Sequence, residues 1–193
     1  MRVGVIGGGY IGTQVAQAAA KVGHEVWVYD TQPQLCAYYK DSFGHGVGQE
    51  EVVDALKTCE VFLICVNTPV EGPEKVTEAL GWLSGLAPKG SVIIIESSVP
   101  VGYTREVSPI APMAAYTLVH SPERLWPGHE ADWPIGCIPK LVGGITPEAT
   151  KWAADFYRTF IVEVIECESP EVTEFAKLYE NTQRTVNIAY ANW

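Results

Sequence analysis

The sequence of 193 residues is 47% hydrophobic and carries a formal net charge of -10 at pH 7, a length and composition that suit one domain with a full core. Its few basic residues are scattered, which argues against nucleic acid or an anionic membrane as a partner. No stretch is long and apolar enough to cross a bilayer, and the first predicted strand starts at Met1, too early for a signal peptide. We therefore expect a cytoplasmic protein with no nucleic-acid and no membrane partner.

The cysteines are widely separated along the chain and form no C-x-x-C pair. They are Cys36, Cys59, Cys65, Cys137 and Cys167. We expect them to be reduced and structural, and we expect no metal site.

The chain opens with a short apolar strand over residues 3–6 that leads into the sequence G-G-G-Y-I-G. The glycines match G-x-G-x-x-G, in which the first makes a tight turn and the second lets backbone amides approach a pyrophosphate. The third lets the following helix pack against the strand. The N-terminus of that helix favours an anion because its amides are unpaired and its dipole is positive at this end. The residues of this turn that we predict to contact a cofactor are Gly7, Gly9, Tyr10, Ile11 and Gly12.

A second strand, predicted over residues 25–29, ends in Asp30. An acidic residue roughly 20 positions beyond the glycine turn accepts hydrogen bonds from the ribose hydroxyls of NAD and repels the additional phosphate of NADP. The pair of features therefore predicts NAD as the cofactor. The alternative is a glycine turn without a ligand, in which Asp30 only caps a loop.

Beyond Asp30 the chain alternates between predicted helices and strands. Residues 33–39 are compatible with a helix and residues 44–48 with a loop. Further helices are predicted over residues 50–57, 73–86, 104–110, 147–160 and 170–193, and strands over residues 61–66, 91–95, 116–119, 141–142 and 162–165. This alternation after a dinucleotide-binding turn predicts an α/β fold: a doubly wound (Rossmann) parallel sheet with helices on both faces, followed by a C-terminal helix.

Polar clusters follow three of the predicted strands, at the carboxyl edge of the sheet where ligands bind in folds of this class. They are Asn67-Thr68-Pro69, Glu96-Ser97-Ser98 and His120-Ser121-Pro122-Glu123-Arg124. Each cluster alone could be a capping loop. Because all three lie at the same edge, together they predict a ligand site.

Five segments in this order resemble the motifs of the UDP-glucose/GDP-mannose dehydrogenase family. They are CVNTP at residues 65–69, ESSVPVGYT at 96–104, SPERLWPG at 121–128, PKLVGG at 139–144 and KLYENT at 177–182. Their order and spacing extend the resemblance over essentially the whole chain. The S-P-E-R-x-x-P-G form is most similar to the branch that oxidises UDP-N-acetyl-hexosamines such as UDP-N-acetylmannosamine.

The resemblance implies an enzyme that oxidises the C6 hydroxyl of a nucleotide sugar to a carboxylate and uses two molecules of NAD in turn. It implies a general base at Glu123, and it aligns Ser98 with a threonine that positions water in the family. The cofactor contacts that we assign after the strands are Val66, Asn67, Thr68, Pro69, Glu96 and Ser97.

The resemblance also assigns catalytic roles to Lys177 and Asn181 on the last helix. The two residues lie four positions apart, so they share one face, and an ammonium beside an amide can stabilise a developing alkoxide. The alternative is a solvated helix face that Glu174 and Glu180 stabilise.

In the family, a nucleophilic cysteine and a second nucleotide-binding domain lie beyond the position of Trp193, and this sequence contains neither. The segment G-C-I-P-K around Cys137 echoes the cysteine motif, which we interpret as coincidence. The resemblance divides the chain into an NAD-binding domain over residues 1–168 and the truncated start of a central dimerisation helix over residues 169–193. The apolar stripe of that helix has little to pack against over residues 188–193, which predicts a homodimer or a second chain that supplies the missing half.

Three functions stay open at this point. The first is a shortened NAD-dependent nucleotide-sugar dehydrogenase, which could be limited to the oxidation of the alcohol to the aldehyde. The second is a module that binds NAD or a nucleotide sugar without independent turnover. The third is a small hydroxyacid dehydrogenase, whose superfamily also carries a lysine and an asparagine four residues apart. The third leaves the clusters around Glu96 and Glu123 unexplained.

Overall fold

A computed structural model describes residues 1–40, 43–69, 72–109, 115–125, 128–129 and 131–193 of the chain. The strands in this part are β1 (Arg2–Ile6), β2 (Glu25–Tyr29), β3 (Ala37–Tyr39), β4 (Gly44–Gly46), β5 (Val61–Ile64), β6 (Val92–Ile95), β7 (Thr117–His120), β8 (Lys140–Gly144) and β9 (Val164–Glu166). The helices are α1 (Tyr10–Lys21), α2 (Gln49–Leu56), α3 (Glu74–Ser84), α4 (Tyr103–Val107), α5 (Pro147–Tyr157) and α6 (Pro170–Ala191).

The described strands form one sheet in the order β4-β3-β2-β1-β5-β6-β7-β8-β9. The pairs from β2 through β1, β5 and β6 to β7 are parallel, and helices pack on both faces of the sheet. The predicted doubly wound α/β fold with a C-terminal helix is therefore confirmed. The ends of most elements lie within three residues of the predicted ends. Residue 110, at the end of one predicted helix, lies outside the described residues.

The edges of the sheet differ from the all-parallel prediction. The strand β8 runs antiparallel to β7, and β3 and β4 form an antiparallel hairpin on β2. The helix predicted over residues 33–39 and the loop predicted over residues 44–48 are therefore wrong, although a single 3-10 turn is present at Pro33–Leu35. The ring of Tyr38 packs on Trp27 across the strands, with 4.3 Å between ring centroids. Cross-strand packing of this kind outweighs the local propensity of so short a segment.

The central strands are buried on both faces. Val61 and Leu63 of β5 point into the core beneath α1 and α5, whereas Phe62 and Ile64 point into the core beneath α2 and α3. All four side chains are completely buried, and each burial stabilises the fold by about 2 kcal/mol. This two-sided core explains the continuous apolar run of a parallel strand.

Polar contacts fix the first turns of α6 to α4 and to the end of β7. The fully buried carboxylate of Glu174 accepts hydrogen bonds from the backbone amides of Gly102, at 2.6 Å, and Thr104, at 2.9 Å, and so caps the N-terminus of α4. The hydroxyl of Thr173 lies 2.7 Å from Nδ1 of His120 at the end of β7. Beyond Asn181, by contrast, every residue of the helix is exposed.

Candidate active site

A cavity of about 870 Å³ lies over the carboxyl ends of β1, β2, β5 and β6. This is the edge at which open α/β sheets bind their ligands. Its wall includes the predicted site residues Gly7, Gly9, Tyr10, Ile11, Asp30, Val66, Asn67, Thr68, Glu96, Ser97, Ser98, Glu123 and Lys177. Three predicted residues, Gly12, Pro69 and Asn181, are not part of the wall. The segments that are far apart in the sequence thus meet in one place.

Each glycine of the turn meets a different steric requirement. Gly7 has a φ of +105°, and a Cβ there would lie 2.6 Å from the carbonyl oxygen of Cys65. A Cβ on Gly12 would overlap the carbonyl oxygen of Gly7, so only glycine lets α1 approach the turn this closely. Gly9 faces open space at the cavity and is the residue just before α1. No side chain caps the N-terminus of this helix. This geometry fits the pyrophosphate of NAD.

The carboxylate of Asp30 lies beside the glycine turn. One oxygen accepts a hydrogen bond from the amide of Gly8 at 2.8 Å, and the other accepts one from the amide of Gln32 at 2.9 Å. Each carboxylate oxygen retains a further lone pair for a hydroxyl donor. The rings of Tyr29 and Trp82 stack at 4.3 Å and close the wall next to Asp30.

The serines after β6 differ in their surroundings. The buried hydroxyl of Ser97 donates to the carbonyl oxygens of Ile64, at 3.2 Å, and Val66, at 2.7 Å, and so joins the ends of β5 and β6. Ser98 is half-buried in the wall of the cavity. Ser98 is therefore the more exposed of the two serines at the cavity wall.

A buried ionic cluster adjoins the cavity, and two of its members, Glu96 and Glu123, line the wall. The ammonium of Lys140 lies 2.7 Å from Oε2 of Glu123 and 2.5 Å from Oε2 of Glu96. The hydroxyl of Tyr157 donates to the other oxygen of Glu96 at 2.5 Å. Glu96, which we predicted among the cofactor contacts, thus has both carboxylate oxygens engaged inside the protein.

Burial and charge act in opposite directions in this cluster. Burial disfavours the charged form of Lys140, but the contacts with Glu123 and Glu96 outweigh it and raise the pKa of Lys140 to about 12. Burial raises the pKa of Glu96, and the Lys140 ammonium opposes that rise. The ammonium is therefore the group that balances the buried negative charge.

The α6 helix brings Lys177 to the same place. Its ammonium donates to the backbone carbonyl oxygen of Glu123 at 2.6 Å, and burial lowers the pKa of Lys177. Asn181, one turn further along, is half-buried outside the cavity wall. A solvated face supported by Glu174 and Glu180 does not describe this surface, because Glu174 caps α4 and Glu180 pairs with Arg124 at 2.7 Å.

Sequence reasoning missed the roles of Lys140 and Tyr157. In the sequence Lys140 is one residue of the PKLVGG motif, next to a predicted strand, where a lysine is normally exposed. Nothing local to the sequence indicates that its side chain is buried. Tyr157 occupies the last turn of α5, and an aromatic residue in that position of the sequence indicates only core packing.

The exposed side chain of Cys137 belongs to a 3-10 turn and is not part of the cavity wall. All five cysteines are free. Among the residues that the structure describes, no group of three or more His, Cys, Asp or Glu could hold a metal ion. Nor does any helix in those segments have the length and apolar character needed to cross a membrane.

Relatives of this chain include the UDP-N-acetyl-D-mannosamine dehydrogenase of Pyrococcus horikoshii, which is 29% identical. The alignment is 220 positions long and covers all of this chain and 52% of the relative. A solved structure described as the UDP-D-ManNAc dehydrogenase of that organism superposes with a TM-score of 0.82 at 28% identity, over all of this chain and 52% of the other. The Staphylococcus aureus UDP-N-acetyl-mannosamine dehydrogenase gives 0.76 at 29% identity, over all of this chain and 53% of the other. The chain thus spans about half the length of these relatives.

A 3-hydroxyisobutyrate dehydrogenase of Mycobacterium tuberculosis superposes with a TM-score of 0.77 over 99% of this chain and 62% of the other, but at 19% identity this likeness concerns the fold alone. A family model for pyridine nucleotide-disulphide oxidoreductases matches residues 2–54, which contain the glycine turn. The model of the NAD binding domain of the UDP-glucose/GDP-mannose dehydrogenase family matches residues 31–161, more than half of the chain. The chain therefore belongs to the UDP-glucose/GDP-mannose dehydrogenase family, and the domain that it contains is the NAD-binding domain.

Proposed function

We propose that this chain is the NAD-binding and proton-transfer part of a dehydrogenase that oxidises the C6 hydroxyl of a nucleotide sugar. The observation that carries the proposal is a single cavity whose wall combines the glycine turn and Asp30 with Glu123 and Lys177. The first two features suit NAD, and the last two suit a hydroxyl that must lose a proton.

In this proposal each side chain has a separate role. NAD, when bound, supplies the two-electron acceptor for the alcohol. The carboxylate of Glu123 takes the hydroxyl proton, and the ammonium of Lys177 stabilises the alkoxide that develops. Ser98 positions water at the cavity wall, and Asn181 contributes its amide from the next turn of α6. The fixed position of the Lys177 ammonium on the carbonyl oxygen of Glu123 supports a joint role for the two residues.

We propose a UDP-N-acetyl-hexosamine as the substrate class. The names of the relatives from Pyrococcus horikoshii and Staphylococcus aureus support this choice over GDP-mannose or UDP-glucose. The five free cysteines and the acidic composition support a cytoplasmic location.

The second candidate is a module that binds NAD or a nucleotide sugar without independent turnover. The chain spans about half the length of its relatives, which favours it, and the exposed position of Cys137 outside the cavity wall leaves a second oxidation without a cysteine for its covalent intermediate. Cys65 does line the cavity, but burial raises the pKa of its thiol well above the usual value, which makes it a poor nucleophile.

We also propose that the exposed side of α6 pairs two copies of the chain. Its apolar side chains include Phe175 and Tyr179, which stack at 6.0 Å and are 60% and 58% exposed. Tyr190, nearer the end of the helix, is 82% exposed. A second chain that supplies the missing half is the alternative occupant of this face.

The test is a titration of the purified chain with NAD, followed by the addition of single nucleotide sugars while the absorbance of NADH is recorded. UDP-N-acetylmannosamine, UDP-N-acetylglucosamine, UDP-glucose and GDP-mannose are compared. We expect NAD to bind and NADH to form with a UDP-N-acetyl-hexosamine. Binding of NAD without NADH would favour the binding module, and NADH from a hydroxyacid instead would overturn the nucleotide-sugar assignment.

A further inference from the structure

Two carboxylates that line the cavity share a nearly dry site with one ammonium that is not itself part of the wall. The side chains of Lys140, Glu96 and Glu123 are 5% exposed or less, and the ammonium contacts both carboxylates. The cost of burying a charge is high unless an opposite charge lies against it. Each carboxylate in this site therefore depends on the ammonium to balance its negative charge.

We infer that Lys140 is a positioning residue for Glu123: it fixes the Glu123 carboxylate at the cavity and balances its negative charge, while Glu96 anchors the lysine from the other side. The inference rests on the proposed role of Glu123 as a base. Oε2 of Glu123 accepts from Lys140 and Oε1 accepts from the amide of Arg124 at 2.7 Å. Each oxygen keeps a second lone pair for a proton from the substrate.

The anchor is built from three separate elements. Glu96 follows β6, Lys140 begins β8 and Tyr157 ends α5. Lys140 lies against the ring of Tyr157, 5.0 Å from its centroid, while the hydroxyl of the same residue holds Glu96. The ammonium therefore has a fixed place between the two carboxylates, with little freedom to leave Glu123.

Infrared spectroscopy tests this inference directly, because a protonated carboxyl group has a carbonyl stretch that a carboxylate lacks. The background is Glu96→Gln, which leaves Glu123 as the only carboxyl of the cluster and preserves its shape. The comparison adds Lys140→Gln, which removes the charge and keeps an amide donor. The titratable groups that face the cluster from neighbouring elements are Cys65, His120, Tyr157 and Lys177, and all of them are common to both variants.

We expect Glu96→Gln/Lys140→Gln to gain a carboxyl band near neutral pH that the Glu96→Gln chain lacks. The matched control adds Lys151→Gln instead, at a lysine whose side chain is 69% exposed and pairs with Asp155, and we expect no new band there. Lys140→Arg keeps the charge and should leave the spectrum unchanged. Identical spectra for Glu96→Gln with and without Lys140→Gln would overturn the inference.

Where the doubly substituted chain does not fold, the wild-type chain gives a second measurement. The nitrogen NMR signal of the Lys140 ammonium, identified by its loss in Lys140→Arg, should shift when Glu123→Gln is introduced and stay in place with Glu180→Gln. A signal that does not respond to Glu123→Gln contradicts the inference.

Activity provides the readout that a purely structural role would not move. In a chain that forms NADH, Lys140→Gln should lower kcat by about 100-fold with KM for NAD unchanged, and Lys140→Arg should restore most of kcat. A change in KM alone speaks against a positioning role. If the wild-type chain forms no NADH, the proposed function fails while the infrared comparison still decides the inference.

Discussion

At the scale of single residues, Glu123 is held at all three of its oxygen atoms. Its carboxylate accepts from Lys140 and from the amide of Arg124, and its backbone carbonyl oxygen accepts from Lys177. A side chain fixed in this way loses little further freedom when a substrate arrives. Pre-organisation of this kind lowers the barrier to proton transfer, because the base does not need to be reoriented.

The first prediction concerns Lys177, which contacts Glu123 from α6. The substitution Lys177→Ala removes the ammonium that would stabilise an alkoxide, so the rate of NADH formation should fall by about 100-fold or more. Affinity for NAD, measured by calorimetric titration, should change little. Lys21→Ala, at an exposed lysine that ends α1, is the control. Full activity in Lys177→Ala would contradict the proposed mechanism.

At the scale of elements, one glycine of the turn between β1 and α1 is needed for folding and another for binding. Gly12→Ala should lower the melting temperature markedly, because the new Cβ would overlap the carbonyl oxygen of Gly7. Gly9→Ala should leave the melting temperature nearly unchanged, because Gly9 has a φ of -69° and open space around it. It should nevertheless weaken NAD binding by about tenfold or more, since the methyl group enters the space for the pyrophosphate. Tight binding of NAD by a well-folded Gly9→Ala chain would contradict the assignment of this turn as the pyrophosphate site.

The exposed face of α6 gives the next prediction at this scale. Tyr179→Glu places a charge on the proposed dimer surface and should convert the chain to a monomer, as measured by light scattering at micromolar concentration. Its melting temperature, recorded at a concentration where the wild-type chain is also monomeric, should stay close to the wild-type value because the side chain is 58% exposed. Val162→Glu, at an exposed valine before β9 that is 87% exposed, is the matched control. A monomeric wild-type chain contradicts the proposed pairing.

The elements that could be predicted from sequence are those whose signal is local. Glycine spacing and the apolar runs of β1, β5 and β6 specify the turn and the buried strands, because backbone geometry sets both. The hairpin of β3 and β4 depends on contact with β2, and its three-residue strands carry no periodicity of their own. Lys140 is a similar case, because its partner Glu96 lies 44 positions away and only the assembled sheet brings them together.

At the scale of the whole molecule, His120 links stability to pH. Burial lowers its pKa to about 3, whereas the unfolded chain takes up this proton near pH 6.5. The unfolded state thus binds a proton that the native state rejects, so stability is fully present above about pH 6.5 and falls as the pH decreases toward 3. Between pH 7 and pH 5 the loss should be about 2 kcal/mol.

Urea denaturation at several pH values measures this dependence. His120→Gln should be less stable near neutral pH, since the contact with Thr173 changes, but its stability should vary less between pH 7 and pH 5. The pKa of His24 is also lowered by burial, so some dependence should persist in the variant. An unchanged slope would exclude His120 as its source.

The attachment of α6 has a consequence for partner binding. The helix of 22 residues is about 33 Å long, and it is clamped at Thr173 and Glu174, close to its beginning. Lys177 on Glu123 and Glu180 on Arg124 hold the helix further along, so only the end beyond Asn181 consists entirely of exposed residues. A partner can therefore bind this end, about 15 Å of helix, without contacting the residues that hold Lys177 at Glu123.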